Sequence, residues 1–168
     1  MPLIQKKICL LGDFAVGKTS LVRRFVEGLF EDKYLSTIGT KVSRKTIAVD
    51  GKQLAMLIWD LAGSEKFSRV IGSYYRGAAG AVLVCDLTRT ETLYALERYA
   101  ADFHSVNPHA PLIVVGNKAD LVTERTITED DLHTFGNTLQ APAFTSSAKT
   151  GDNVERLFQT LGQALLSQ

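Results

Sequence analysis

The chain is predicted to fold as an α/β protein with a doubly wound, mostly parallel six-stranded sheet that contains one antiparallel strand. Short apolar runs typical of buried strands alternate along the sequence with segments of helical periodicity. One pair of extended runs is joined by Asp50-Gly51, a typical hairpin turn. Alternation of this kind places helices on both faces of a sheet. Since no linker or repeat interrupts the pattern, we expect a single domain over residues 1–168.

Six segments have the length and apolar content of strands. They are residues 4–11, 42–49, 53–60, 79–85, 111–116 and 143–145. Apolar side chains at helical spacing predict a helix beginning near Lys18, a second over Leu93–Phe103 and a last one over Val154–Leu165. Two residue pairs resemble N-terminal capping boxes, Thr88 with Glu91 and Asp152 with Glu155.

Composition excludes several classes of protein. Hydrophobic residues make up 45% and charged residues 22%, which is ordinary for a soluble domain, and the formal net charge of +1 gives no general attraction to nucleic acid. The longest apolar stretch, residues 77–85, falls far short of the ~20 residues that an intrinsic membrane span requires. Cys9 and Cys85 lie inside strand-like runs, as buried thiols of a reducing compartment do. We expect a cytoplasmic protein that associates with membranes only if a lipidated tail is missing, because the given C-terminus has no cysteine for prenylation.

Residues 12–19, Gly-Asp-Phe-Ala-Val-Gly-Lys-Thr, match the phosphate-binding pattern GxxxxGK[ST] between a predicted strand and a predicted helix. Gly17 allows the backbone to curl so that successive N–H groups face the phosphates at the positive end of the helix. Lys18 is placed to neutralise the β- and γ-phosphates, and the Thr19 hydroxyl to ligate Mg²⁺. The expected nucleotide-binding residues here are Phe14, Ala15, Val16, Gly17, Lys18, Thr19 and Ser20. This loop alone leaves ATPases, kinases and GTPases open.

Two later motifs indicate guanine. Residues 117–120, Asn-Lys-Ala-Asp, follow a predicted strand, and the Asp120 carboxylate can accept from both N1–H and the 2-amino group of guanine. Adenine lacks this donor pair, so the site would discriminate by a factor on the order of 10⁴. The Lys118 stem can lie along one face of the base, while Asn117 can tie this loop to the phosphate loop. Ser147, Ala148 and Lys149 can offer a backbone N–H to the guanine 6-oxygen.

The order and spacing of these motifs resemble the Ras superfamily over essentially the whole chain. Residues 74–78 (Tyr-Tyr-Arg-Gly-Ala) and 36–39 (Ser-Thr-Ile-Gly) are similar to the Rab branch, whose members act in vesicle trafficking. The resemblance implies a GTP/GDP-dependent switch with effector, exchange-factor and GTPase-activating partners, contacted through residues near 30–45 and 60–78. It also implies a P-loop small GTPase fold.

The same resemblance assigns further site residues. Thr37 would ligate Mg²⁺ through its hydroxyl and bind the γ-phosphate through its backbone. Asp60 and Gly63 match the family's DxxG motif, with Asp60 near Mg²⁺ and Gly63 sensing the γ-phosphate. Phe30 would cover the edge of the base, although simple core packing explains an aromatic residue there as well. Trp59 is better explained as buried surface than as chemistry.

Three departures from the family pattern concern hydrolysis and partners. Ser64 stands where Rab-like proteins have the glutamine that orients the attacking water, and its side chain is too short to hold water and phosphoryl group together. Phe14 replaces a small residue beside the γ-phosphate, where its ring would crowd both the water and an arginine finger. Residues 40–42, Thr-Lys-Val, replace an apolar-acidic-Phe pattern, so we expect an altered partner surface.

The sequence therefore predicts a Mg²⁺-dependent GTPase with a slow intrinsic rate. The residues expected to act in hydrolysis are Lys18, Thr37, Gly63 and the altered position Ser64, and the metal site comprises Thr19, Thr37 and Asp60. Two alternatives stay open at this point: a GTP-binding interaction module that scarcely hydrolyses, and a P-loop kinase or ATPase. The 117–120 and 147–149 motifs disfavour the latter.

Overall fold

The computed structural model describes residues 2–30, 40–61 and 68–167, the last range with side chains from Gly72 onward. Its strands are β1 (Leu3–Leu11), β2 (Thr40–Val49), β3 (Lys52–Leu61), β4 (Ala78–Asp86), β5 (Leu112–Asn117) and β6 (Ala143–Thr145). In these ranges they form one six-stranded sheet in the order β2-β3-β1-β4-β5-β6. β2 is antiparallel to β3 and the other neighbours are parallel, which confirms the predicted sheet.

The hairpin between β2 and β3 turns at Asp50-Gly51 as predicted. Both residues have positive φ, 50° and 77°, which is the conformation of a two-residue turn that matches the twist of the strands. The two strands extend slightly beyond the predicted segments, because Thr40 still pairs with Leu61 and Val49 with Lys52. Backbone pairing thus continues past the apolar side chains from which the strands were predicted.

Helices cover both faces of the sheet. They are α1 (Lys18–Glu27), α2 (Ser68–Tyr75), α3 (Thr90–Val106), α4 (Glu129–Thr138) and α5 (Val154–Leu166), with a 3₁₀ turn at Val122–Glu124. One core cluster joins α1 and α5 to the first face, and a second joins α3, α4 and the end of α2 to the other. No helix within the described ranges combines the length and apolar character needed to cross a membrane.

Both predicted capping boxes are wrong. α3 begins at Thr90 after the N-cap residue Arg89, and the Thr88 hydroxyl instead donates to Asp86 Oδ1 at 2.7 Å. α5 begins at Val154 after Asn153, whose side chain donates 2.8 Å to the Thr145 carbonyl. Neither N-cap residue makes a side-chain capping hydrogen bond, and Thr88 and Asn153 bond the ends of the strands that precede them, β4 and β6. A capping box does occur at the start of α4, between Thr128 and Asp131.

The two cysteines are buried free thiols, as predicted. Cys9 lies in β1 and Cys85 in β4, both without exposed surface. Burial raises the pKa of each thiol to about 12. The reactive thiolate is therefore scarce at neutral pH.

The first core cluster generates a test of stability. Phe25 and Phe158 stack with ring centroids 3.9 Å apart and an angle of 7° between the planes. We expect Phe158→Ala to lower the free energy of unfolding by about 3–5 kcal/mol, because the truncation leaves a cavity in the fully buried core. Urea unfolding of the parent, this variant and Tyr94→Ala would measure it, since Tyr94 is 69% exposed and its truncation should cost under about 0.5 kcal/mol. Equal losses from the two truncations would contradict the assigned core.

Candidate functional site

The predicted motifs come together at the carboxyl ends of the parallel strands. The phosphate loop, residues 12–17, follows β1, and the chain crosses from one side of β1 to the other when it passes from β3 to β4. Such a change of direction opens a crevice at this edge of a sheet, where ligands of doubly wound folds bind. Residues 117–120 leave β5 and residues 146–149 leave β6 at the same edge. The sheet topology alone thus gathers the three loops.

Lys18 lies inside the phosphate loop. It is 6% exposed, and its Nζ donates to the Gly12 carbonyl at 3.0 Å and to the Asp13 carbonyl at 3.5 Å. Burial lowers the pKa of the ammonium, and the carboxylates of Asp60 and Asp13 counteract this. A buried cation bound mainly by backbone carbonyls is suited to exchange those partners for phosphate oxygens.

The loop approaches the sheet so closely that glycine is required at two positions. Gly17 precedes α1 with φ 99°, and a Cβ there would lie 2.3 Å from Asn117 Nδ2. A Cβ on Gly12 would lie 2.2 Å from the Val84 carbonyl oxygen. Only the absence of a side chain permits this proximity. The backbone N–H groups near the start of α1 are therefore kept close to β4 and β5.

The loop of residues 117–120 donates hydrogen bonds to carbonyls of the phosphate loop. Asn117 Nδ2 donates to the Val16 carbonyl at 3.1 Å, and Lys118 Nζ donates to the Ala15 carbonyl at 3.0 Å. Asn117 is 2% exposed, and its Oδ1 accepts from the Ser146 hydroxyl at 3.2 Å. The predicted link between the two loops through Asn117 is thus present, and Lys118 adds a second one.

Asp86, at the end of β4, is, like Asp60, a buried anion of the site. Its Oδ2 lies 2.9 Å from Lys118 Nζ and 3.1 Å from Arg89 Nε, while Oδ1 accepts from the backbone and hydroxyl of Thr88. Burial by itself would raise the pKa of the Asp86 carboxyl, but the hydrogen bonds from Thr88 and Lys118 lower it overall. The carboxylate therefore stays charged and holds two cations beside the phosphate loop.

Asp120 is oriented by the loop that follows β6. Its Oδ1 accepts from the Ser147 hydroxyl at 2.8 Å. One hydrogen bond uses part of the capacity of a carboxylate, which accepts at about four lone-pair sites. Arg24 of α1 fixes the same loop from outside by donating to the carbonyls of Lys149 (3.4 Å) and Thr150 (3.2 Å).

The predicted metal ligands that the structure describes are already in contact. The Thr19 hydroxyl donates to Asp60 Oδ2 at 2.7 Å, with Thr19 in the first turn of α1 and Asp60 near the end of β3. A hydroxyl and a carboxylate are hard oxygen ligands, and Mg²⁺ is commonly held by few such protein groups together with phosphates. The residues present fit Mg²⁺.

The other predicted residues divide into two groups. Thr37, Gly63 and Ser64 lie outside the described residues. Of the rest, Phe14 is 61% exposed on the phosphate loop, whereas Phe30 is half-buried against the core. Ser20 lies half-buried in α1, and Ala148 is buried in the first core cluster. Base contact by Phe30 stays a prediction.

Several residues of the site belong to none of the predicted motifs, among them Asp86, Arg89, Tyr99 and Ser146. One signal in the sequence could have indicated Asp86: it is an acidic residue at the end of an apolar strand, at the edge of the sheet where ligands bind. Arg89 Nη2 donates to the Phe14 carbonyl at 2.8 Å, and the Tyr99 hydroxyl donates to Asp13 Oδ1 at 3.1 Å. These contacts join residues 75 and 86 positions apart, so no local pattern indicates them.

Comparison with known proteins agrees with this geometry. The Ras family model matches residues 7–167. Ras-related protein SEC4 of Saccharomyces cerevisiae is 40% identical over 163 residues, which cover 95% of this chain and 74% of SEC4. GTPases of the Ras family generally bind guanine nucleotide and Mg²⁺. The chain therefore belongs to the Ras family and is a GTPase.

Proposed function

We propose that this GTPase is a Rab-like switch that binds GTP or GDP with Mg²⁺ and hydrolyses GTP slowly. The observation that carries the nucleotide assignment is the Asn117 amide, which joins the base-reading loop to the Val16 carbonyl of the phosphate loop at 3.1 Å. A ligand with a guanine at one end and phosphates at the other fits two loops held at a fixed separation. Family membership decides against a P-loop kinase or an ATPase.

The base is selected by Asp120 and the phosphates by the loop amides with Lys18. The Ser147 hydroxyl orients the Asp120 carboxylate toward one edge of the ligand, and Lys118 reaches the Ala15 carbonyl so that its stem lies between the two loops. When bound, Mg²⁺ supplies positive charge at the β- and γ-phosphates, with Thr19, Thr37 and Asp60 as its protein partners. The γ-phosphate would order Thr37 and Gly63, which makes the partner surface nucleotide-dependent.

Slow hydrolysis follows from two residues. Ser64 lacks the reach to orient water, and the exposed ring of Phe14 stands on the loop beside the expected γ-phosphate position. Lys18 and the loop amides still stabilise the charge that develops in the transition state. The groups for phosphate binding are retained, whereas the group that positions the nucleophile is absent.

The proposal extends to partners and location. Effector, exchange and activating proteins would contact residues near 30–45 and 60–78, where Val42 is 50% exposed and Trp59 lies 6.4 Å from Tyr74 between ring centroids. The Lys7 ammonium lies 3.9 Å from the centre of the Trp59 ring, so this surface is both aromatic and basic. For location, the proposal is a cytoplasmic protein that associates with membranes only through a lipidated tail. Partner capture that depends on the bound nucleotide would check the assignment.

Base selection gives the first functional test. In Asp120→Asn, the side-chain amide donates a hydrogen bond to xanthine, which has an acceptor where guanine has its 2-amino group. We expect the preference for GDP over xanthosine diphosphate to fall by at least about a hundredfold, measured by competition binding. Asp130→Asn, an exposed change on α4, should leave the preference as it is. An unaltered preference in Asp120→Asn would refute the base assignment.

Metal binding gives the second functional test. Thr19→Asn removes the hydroxyl that contacts Asp60, so GTP affinity should fall and lose most of its sensitivity to EDTA. Titration calorimetry with and without EDTA would compare the parent, this variant and Thr134→Asn, an exposed threonine of α4. The parent and Thr134→Asn should each bind GTP more weakly when Mg²⁺ is chelated. Metal-independent GTP affinity of the parent would overturn the metal site.

Hydrolysis gives the third. Unaided Ras hydrolyses GTP at about 3–5 × 10⁻⁴ s⁻¹, and we expect this chain to be slower by about tenfold or more, which is ~1.4 kcal/mol of barrier per factor of ten. Ser64→Gln combined with Phe14→Ser should accelerate single-turnover hydrolysis above the parent. Phe14→Ser alone should help less, because removing the ring provides no group to hold the water.

Tyr94→Ser removes another exposed aromatic ring, on α3, and serves as the control for Phe14→Ser. It should leave the rate unchanged. A parent rate at or above that of Ras would show that another residue orients the water, and the proposed slow hydrolysis would then be wrong.

A further inference from the structure

The turn between β4 and α3 places an arginine against the outside of the phosphate loop. Arg89 uses two arms of its guanidinium: Nε lies 3.1 Å from Asp86 Oδ2, and Nη2 donates to the Phe14 carbonyl at 2.8 Å. Because Asp86 is buried and also bound to Thr88 and Lys118, it fixes the guanidinium in one orientation. Planar geometry then determines where the second arm points.

The Phe14 carbonyl, which accepts from Arg89, is the first in a series of three successive carbonyls that accept hydrogen bonds from side chains. The Phe14, Ala15 and Val16 carbonyls accept, in that order, from Arg89, Lys118 and Asn117, at 2.8, 3.0 and 3.1 Å. In a trans peptide the N–H points opposite to the C=O of the same unit. The N–H groups of the three following residues, 15 to 17, are therefore turned away from these donors and toward the phosphate side. Successive N–H groups with a common direction form an anion-binding concavity.

The second residue of this series has an unfavourable backbone. Ala15 adopts φ 63°, in the left-handed region that side chains with a Cβ avoid. Such a conformation persists where the surrounding structure determines it on both sides. Here the peptide before Ala15 is held by Arg89 and the peptide after it by Lys118.

We propose that Arg89 is a positioning residue for the phosphates of the nucleotide. It holds the Phe14–Ala15 peptide so that the Ala15 N–H faces the phosphate side, and it opposes relaxation of Ala15 out of the left-handed conformation. The inference rests on the proposed nucleotide site and concerns its phosphate half alone. Base selection belongs to Asp120.

The test is a double-mutant cycle between Arg89 and Ala15, with the affinity for GDP as the measured quantity. Arg89→Ala should weaken GDP binding by about tenfold, the effect of one charge-assisted hydrogen bond. Glycine adopts positive φ without steric cost, so Ala15→Gly should recover about threefold in the Arg89→Ala background and change the parent much less. The preference for GDP over xanthosine diphosphate should stay at the parent value in every variant.

Two further variants separate positioning from general stability. Arg156→Ala, which removes an exposed arginine of α5, should leave GDP affinity unchanged. Arg89→Lys keeps a charge beside Asp86 but lacks the planar fork, so it should lose most of the affinity that Arg89→Ala loses. It replaces the alanine variant in the cycle if thermal unfolding shows that Arg89→Ala does not fold.

Three results would overturn the inference: unchanged GDP affinity in Arg89→Ala and Arg89→Lys, an equal effect of Ala15→Gly in both backgrounds, or a loss of base preference. Failure of the parent chain to bind GDP would instead refute the proposed function. The two failures are therefore distinguishable.

Discussion

A buried carboxylate, that of Asp86, fixes the cations on which the shape of the phosphate loop depends. Asp86 is the last residue of β4, which pairs with β1, and the phosphate loop follows β1. The carboxylate therefore lies at the edge of the sheet where the strand order changes direction. Burying a charge is costly unless it is paired and hydrogen-bonded. Here both oxygens accept hydrogen bonds, and one of them binds Lys118 and Arg89 together. Removing this carboxylate would leave two cations without their common anchor, in addition to one lost ion pair.

The hydrogen-bonded carbonyls of the phosphate loop constrain its backbone conformation. Backbone groups that bind phosphate must point their N–H donors inward, and the carbonyls of the same peptides then need partners elsewhere. Lys118 and Asn117 supply those partners from the loop that we propose to read the base. On that proposal, recognition of the base and of the phosphates is coupled through hydrogen bonds within the protein. The close contact of Gly17 with Asn117 maintains the coupling, because any side chain at position 17 would separate the loops.

Much of this could be predicted from the sequence because its determinants are local. Residues only a few positions apart determine the hairpin at Asp50-Gly51, the loop from Gly12 to Thr19 and the buried strands. The alternation of strands with helices then predicted the mostly parallel sheet. The Thr88–Glu91 and Asp152–Glu155 caps were wrong although they too were local. Spacing indicates a possible capping bond but not the residue at which the helix begins, and the N-cap residues are Arg89 and Asn153 instead.

Contacts between distant segments account for the part that was not predicted. The bond from Arg89 to Phe14 requires the register of β1 against β4, which the apolar pattern of either strand does not specify. Tyr99 reaches Asp13 for a similar reason, since its place in α3 matters only once that helix lies beside the loop. Thr19 was predicted as a metal ligand from the phosphate-binding motif and Asp60 from the family resemblance, whereas the 2.7 Å contact between them is a property of the folded chain.

The departures from the family pattern at Ser64 and Phe14 concern the chemical step of hydrolysis and not the binding of the nucleotide. On the proposed function, Lys18, Asn117 and Asp120 act on the bound nucleotide before reaction, and their hydrogen bonds to the protein are in place. In the same proposal, Ser64 and Phe14 occupy the sequence positions that affect the attacking water, which must be held only as the reaction proceeds. Interactions made equally with the ground state and the transition state give affinity, and only those strengthened in the transition state give rate. On the proposed function, the chain therefore keeps the groups for binding the nucleotide, whereas its conversion of GTP to GDP is slow.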